Sequence, residues 1–303
     1  MGIVVGLDIG GTSYKLGAWL GELRLDWRQG IAPSASANGD EVADYIAELV
    51  TNFAARLTSR PAALGIGSCG LIADGAILQS PNTPWQFLPL IDELWVRLEM
   101  PVTLINDADA FLMDAMSVLE REPRAAIGIT LGTGLGTAVW LNGRLLAGGS
   151  GISPEGGHTT LDFNGPLANT GIPGTWESLA CRAALLQYYA EAGGPLAEDP
   201  LDVASAALKG DGAARRAWER YGHALGAGLG SLCNIFSPEV VLLGGGLAGA
   251  HAWFAQAATD ALNMHLLHAM PRPALRFLDD RADSVAHGAA RYALLERDKE
   301  RKP

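Results

Sequence analysis

Four short stretches carry the side chains in this chain that can do chemistry. DIGGTSYK, from Asp8 to Lys15, has what an anion-binding loop needs. Gly10 and Gly11 let the backbone approach a ligand closely and turn successive N–H groups toward an anion. Thr12 adds a hydroxyl, Lys15 a positive charge, and Asp8 a carboxylate that can hold Mg2+ through water. TLGTGLGTA repeats the device with Gly132, Thr133 and Gly134. Neither is a Walker A loop, because GxxxxGK followed by Ser or Thr occurs nowhere. In LINDADAF, Asn106 and Asp107 stand where an apolar run gives way to a helical pattern. A carboxylate there can take a proton from a hydroxyl it touches, and either residue can instead cap the helix. The fourth stretch runs from Glu155 to Ser178, with His158 three residues after Glu155 and Glu177 beyond a turn-rich loop. A zinc centre needs three or four suitably spaced ligands. Glu155, His158 and Asp162 are available, but HExxH and cysteine are both absent from the loop. A polar, hydrogen-bonding pocket is the better reading.

GGGLAG, from Gly244 to Gly249, matches GxGxxG and follows an apolar run. The acidic residue that a dinucleotide fold places about 20 residues on is missing, with NMHLLHAM there instead. That argues against NAD. No GxSxG nucleophile elbow exists, so hydrolase chemistry has little support.

Elements must hold these groups in place. β-branched apolar runs ending in glycine recur near residues 2–11, 63–70, 101–107, 125–134 and 239–246. Between them lie helical stripes: Val42, Tyr45, Ile46, Leu49, Val50 and Phe53; Ala108, Phe111, Leu112, Ala115, Met116 and Leu119; Trp176, Leu179, Ala180, Ala183, Ala184 and Tyr188. Asp109 and Asp114 fall off the second stripe and are expected in solvent. The pattern predicts an α/β fold with a terminal helix from Ser284 to Glu296. Residues 6–25 and 128–146 share one layout of strand, Gly/Thr loop, strand and polar turn. That repetition predicts two related domains, at 1–106 and 107–283, each offering one loop to a shared cleft. The C-terminal helix, 284–303, is expected to join the first.

Composition narrows the partners. The 303 residues carry 33 acids against 22 basic residues, a net charge of −11, without the basic cluster that nucleic acid requires. Cys69, Cys181 and Cys233 lie far apart and read as small buried hydrophobes in a reducing compartment. The N-terminus lacks the basic region of a signal peptide, and no run of 18 apolar residues offers a membrane span. A cytoplasmic protein is expected.

Taken in order, GLDIGGTSYKLG, SPNTPW, INDADAF, TLGTGLGTAVWLNGRLLAG, PEGGH, GTWESLA and PEVVLLGGGLA resemble the ROK family of sugar kinases and sugar-responsive repressors. The resemblance covers nearly the whole chain. It implies the two-domain actin, hexokinase and Hsp70-like (ribonuclease H-like) α/β fold with an inter-domain cleft. It implies that Asp8, Gly10, Gly11, Thr12, Lys15, Gly132, Thr133 and Gly134 embrace ATP phosphates, with Gly244, Gly245 and Gly246 near the adenosine. It implies a sugar pocket of Asn82, Asn106, Asp107, Glu155, His158 and Glu177, with Asp107 as general base. Mg2+ would arrive with ATP, closure of the domains would exclude water, and a homodimer is expected.

The chain also departs from the family pattern. Family members commonly carry GPxCxCGxxGCxE here, whose three cysteines bind a structural zinc with the histidine. The aligned stretch is GPLANTGIPGTWE, so Ala168, Thr170 and Thr175 take the thiolate places. Thiolates supply most of such a site's affinity, so no structural zinc is expected. Pro166 and Pro173 are expected to stiffen the loop by restricting φ. The repressors carry a DNA-binding extension ahead of the first loop, whereas the first strand here starts at residue 3, and a kinase is expected over a non-catalytic sugar sensor. Glucose leads among the sugars, with fructose, mannose, allose and N-acetylmannosamine open, as is polyphosphate in place of ATP.

Overall fold

A computed structural model describes residues 2–33, 38–80 and 85–300. The chain divides into two compact units. Unit 1 comprises Met1–Glu120, Leu146–Pro154 and Arg281–Pro303, and unit 2 comprises Arg121–Leu145 and Glu155–Asp280.

In unit 1 the chain runs β1 (Val4–Ile9), β2 (Ser13–Leu20), β3 (Leu23–Ile31), α1 (Gly39–Ala54), β4 (Leu64–Ser68), β5 (Leu71–Ala73), β6 (Ala76–Gln79), β7 (Gln86–Leu88), α2 (Leu90–Arg97), β8 (Val102–Asn106) and α3 (Asp107–Ala115). The main sheet has the order β3-β2-β1-β4-β8, and β5, β6 and β7 form a smaller one. β1 pairs antiparallel with β2, while β1, β4 and β8 run parallel. Parallel neighbours buried on both faces need continuous apolar runs, which VVGLDI and LGIGS supply. Asn38 begins α1 with a capping box shared with Glu41, and Val42, Ile46, Val50 and Phe53 bury its apolar stripe.

In unit 2 the order is β9 (Ala125–Leu131), β10 (Leu135–Leu141), α4 (Trp176–Leu179), α5 (Arg182–Glu191), α6 (Pro200–Leu208), α7 (Gly212–Phe236), β11 (Val240–Gly244), α8 (Ala255–His265) and β12 (Ala274–Phe277). Its sheet has the order β10-β9-β11-β12, with one antiparallel hairpin and two parallel pairs. The two stretches that look alike in sequence thus both fold as hairpins that begin a sheet. α7 buries Trp218 and Tyr221, whose rings stack or meet edge-on with Phe254 at 5.7 and 5.1 Å between centroids.

The last helix, α9 (Ser284–Glu300), belongs to unit 1. It lies so close to β1 and β4 that a Cβ on Gly6 or Gly65 would sit 1.8 or 1.9 Å from its carbonyl oxygens. α9 also packs on α3, where a Cβ on Gly288 would meet the Ala110 carbonyl. That packing moves the division of the chain past the 106/107 boundary expected from sequence. α3 stays with unit 1, and residues 146–154 return to it.

Three further expectations change. Asp109 and Asp114 are buried, not solvated, because α3 is enclosed on all sides. Asp109 accepts a hydrogen bond from Ser153; Asp114 accepts one from Ser284 at 2.6 Å and sits 2.6 Å from His287 Nδ1 on α9. α3 itself ends at Ala115, and Met116–Val118 tightens into a 3-10 turn. The stripe expected from Trp176 to Tyr188 is two helices. Extended backbone at Cys181 separates them, and the Arg182 N–H turns aside to the Gly132 carbonyl. Finally, Cys181 and Cys233 are buried, but Cys69 is only partly so and contacts Ser80.

Candidate functional site

The unit 1 residues gather at the carboxyl edge of its parallel strands, where crevices for ligands form in open α/β sheets. Ile9 pairs with Ser68, and Ser68 with Asn106, so the ends of β1, β4 and β8 lie level. At two strand spacings, Asn106 is roughly 10 Å from the end of β1. Asn106 performs the capping role: its side-chain oxygen accepts the Ala108 N–H at 2.7 Å, and its Nδ2 donates to the Gly70 carbonyl at 3.0 Å. Both ends of that amide are thereby held, which fixes where α3 begins. Asp107 follows as the first helical residue, half-buried, its Oδ1 accepting the Ala108 N–H at 2.9 Å. The amino end of a helix favours the ionised carboxylate, the form a general base requires.

On β1, Asp8 lies directly opposite Lys15 of β2, and the two form a 3.1 Å ion pair. Burial pushes the Asp8 pKa up, and Lys15 pulls it back. Gly10, Gly11 and Thr12 make the turn between them, closed by Gly10 N–H to the Ser13 carbonyl at 3.1 Å. Thr12 is exposed at its tip. Asn82 lies outside the described residues.

Unit 2 brings together Glu155, His158 and Glu177. A 3-10 turn, Gly156–His158, places His158 Nε2 3.8 Å from Glu155 Oε2. Thr137 of β10 shapes that turn by accepting the Gly156 N–H at 2.8 Å. The Glu155 pKa is raised, chiefly by burial; His158 opposes the shift and the Glu177 charge adds to it. Glu177 stands in the first turn of α4, and its Oε2 accepts the Leu135 N–H at 2.9 Å. The three groups therefore meet beside the second glycine loop. Two acids and an imidazole in a partly dry setting form an acceptor-rich surface suited to hydroxyl donors.

The glycines of unit 2 separate into two kinds. Gly245 has φ +87°, and a Cβ there would come within 2.5 Å of the Leu131 carbonyl, so its reason is structural. Gly132 and Gly246 are different. Their φ angles are ordinary, and an added Cβ would meet nothing within 4 Å. Neither strain nor packing requires glycine there, and the backbone at both positions is open to close approach. β9 and β11 run parallel, which puts both glycines at the carboxyl edge of that sheet.

The loop that would hold zinc in family members is built without thiolates. Among the described residues, no group of three His, Cys, Asp or Glu side chains is placed to hold a metal. Backbone bonds close the loop instead: Gly174 N–H to Pro166, Ala168 N–H to Ile172, and Leu161 and Asp162 N–H to Gly174. Thr175 is fully buried and caps α4 by accepting the Ser178 N–H at 3.0 Å. Thr175, which stands at one of the family's thiolate places, also carries a cap signal in the sequence as a Thr just before an apolar stripe. Thr137 and the Arg182 backbone gave no such signal, since both act across strands or helices distant in sequence.

The ROK family model matches residues 4–295. The chain is 32% identical over 265 residues to the glucokinase of Thermotoga maritima, covering 82% of this chain and 83% of that one. It is 30% identical over 259 residues to the xylose repressor of Bacillus subtilis, covering 82% of this chain and 66% of the repressor. Among solved structures, a ROK hexokinase from Thermus thermophilus superposes with TM-score 0.85 at 32% identity, covering 98% and 99% of the two chains. A ROK family glucokinase from Streptomyces griseus, in complex with glucose and AMPPNP, gives 0.79 at 26% identity over 97% and 99%. No helix among the described residues is long and apolar enough to cross a membrane.

Proposed function

Because the chain belongs to the ROK family, whose fold it shares with kinases and with repressors, we propose that it is an ATP- and Mg2+-dependent hexose kinase acting first on glucose. The observation that carries this reading is Asp107. It is held by the Asn106 cap at the amino end of α3, on the same sheet edge as the Asp8–Lys15 loop. A regulator that only senses sugar has no need of a carboxylate positioned to take a proton.

Asp107 draws the proton from one sugar hydroxyl, which then attacks the γ-phosphorus of ATP. The bond to the bridging oxygen breaks and ADP leaves. Glu155, His158 and Glu177 accept or donate hydrogen bonds to the remaining hydroxyls and set the orientation. N–H groups of the two glycine loops, with Thr12 and Thr133, bind the phosphates and stabilise charge on the transferring group. Mg2+ arriving with ATP would neutralise phosphate charge, and Asp8 would hold it through water. A structural zinc does not fit a loop with Ala168, Thr170 and Thr175 at the thiolate places.

The second reading, a sugar-responsive regulator without catalysis, draws on the likeness to the xylose repressor. A coupled ADP-release assay over glucose, fructose, mannose, allose and N-acetylmannosamine separates the two. Asp107→Asn should lower the rate by about 10²–10⁴-fold with sugar binding retained. A rate near that of the parent protein would sink the assignment of Asp107 as base.

A further inference from the structure

We propose that Glu177 couples the two ligands: one carboxylate oxygen holds the second phosphate loop while the other receives the sugar, so each ligand strengthens the other's binding. The inference rests on the reading of Glu177 as a sugar partner and deepens it.

The Gly132–Leu135 loop is fastened to one short segment at both ends. Leu135 donates its N–H to Glu177 Oε2 at 2.9 Å, and the Gly132 carbonyl accepts the Arg182 N–H at 2.9 Å. The carboxylate also lies directly against the loop: a Cβ on Gly134 would come 2.5 Å from Oε2 and 3.3 Å from Cδ. Glycine at 134 therefore makes room for Glu177, unlike Gly132, whose Cβ would meet nothing within 4 Å. Oε1 has no hydrogen-bond partner among the described residues and is left for a hydroxyl.

The lever behind this carboxylate is stiff. Thr175 and Trp176 are fully buried, Thr175 caps α4, and a Cβ on Gly228 of α7 would fall 2.1 Å from the Trp176 ring. The Trp176 N–H reaches back to the Thr159 carbonyl at 2.9 Å, beside His158. Glu155 is near enough for its ionisation to be opposed by the Glu177 charge. A sugar that donates hydroxyls to both acids relieves that repulsion and steadies Glu177, and with it the loop that presents Thr133. Linkage requires the effect to be reciprocal.

Calorimetry tests the coupling with whichever hexose of the panel binds tightest, titrated with and without AMPPNP and Mg2+. The parent protein should bind each ligand about 5-fold or more tightly in the presence of the other, by one common factor. Gly134→Ala, a change within the phosphate loop, should weaken sugar binding several-fold even with no nucleotide present and bring the factor close to one. Glu177→Asp, which keeps the charge but shortens the reach to Leu135, should also lose the factor, and guards against a Gly134 variant that fails to fold. Sugar affinity untouched by Gly134→Ala in the absence of nucleotide, or no coupling in the parent protein, overturns the proposal. Glu177→Gln distinguishes the levels. If it weakens sugar binding while Gly134→Ala does not, the kinase reading stands and the coupling falls; if it leaves sugar binding unchanged, the assignment of Glu177 falls with it.

Discussion

The β1–β2 and β9–β10 hairpins use one backbone plan for two different electrostatic designs. In unit 1, Asp8 faces Lys15 across the strands, so an acid and a base are built into the hairpin itself. In unit 2 the facing positions are Thr130 and Gly136, and the Thr130 hydroxyl merely accepts the Gly136 N–H at 3.2 Å. The carboxylate there is imported, from Glu177 on α4. The turns differ as well: Ile9 pairs with Tyr14 but Leu131 with Leu135, leaving the second loop a residue shorter. Two strand–loop–strand units thus share a backbone plan and differ in the side chains around the loop. The charge around each loop was settled separately, by strand residues in one case and by a distant helix in the other.

Breaking that contrast is the most direct way to test it. Between the two hairpins the larger effect should come from Asp8→Asn, which removes the built-in acid. Phosphoryl transfer should fall on the order of 10²-fold, with sugar affinity measured without nucleotide unchanged. Thr130→Val, at the matching place in the second hairpin, should cost about 1 kcal/mol of stability and leave the rate within a few-fold. Equal losses of rate in steady-state kinetics would mean that the two hairpins are not differentiated in this way.

A smaller effect tests the imported support. Thr175→Ala should destabilise by about 1 kcal/mol through loss of the α4 cap, lowering the melting temperature by about 2–4 °C, while Thr175→Ser retains it. EDTA should leave the melting temperature of the parent protein alone, since thiolate ligands are missing; stoichiometric zinc in the purified protein would contradict the loop's account.

The smallest effect is a pH dependence shared by the two designs. Asp8 and Glu155 both have raised pKa values in the folded protein, mainly through burial. The folded state then binds the proton more tightly than the unfolded one. Stability is greatest below the ordinary carboxylate pKa, falls as pH rises toward the raised value, and is level above it. Glu155→Gln should therefore raise the melting temperature slightly at pH 8 and not at pH 4. Lys15→Met should do the opposite, destabilising at pH 8 because Asp8 loses its partner. A thermal-shift series across that range would expose either sign as wrong.

Much of the fold was legible because its signals are local. The apolar runs that became β1, β4, β8, β9 and β11 announced themselves by composition, and α1 by its apolar stripe. That a helix begins at Asn106-Asp107 followed from a strand meeting an apolar stripe, but that Asn106 is the residue that caps it came from the structure. Where reading failed, tertiary packing overrode a periodic pattern. Asp109 and Asp114 look like the polar face of an amphipathic helix, yet α9 and the 146–154 segment enclose them and supply Ser284, His287 and Ser153 as partners. The stripe through Trp176 and Tyr188 looks continuous, yet the helix breaks where Arg182 turns to hold Gly132.

Sequence alone determined the α/β class, the two glycine hairpins and the Asn106-Asp107 pair, because each depends on residue types and spacing within one segment; the missing thiolates showed through the resemblance to the family. Only the tertiary structure decided which acids are buried, which glycines make room for a neighbour and which are left open, and that Glu177 braces Leu135 across 42 residues. The reason is physical. Short-range propensity chooses strand or helix, but burial, close approach and hydrogen-bond partnership are settled by what the folded chain brings alongside.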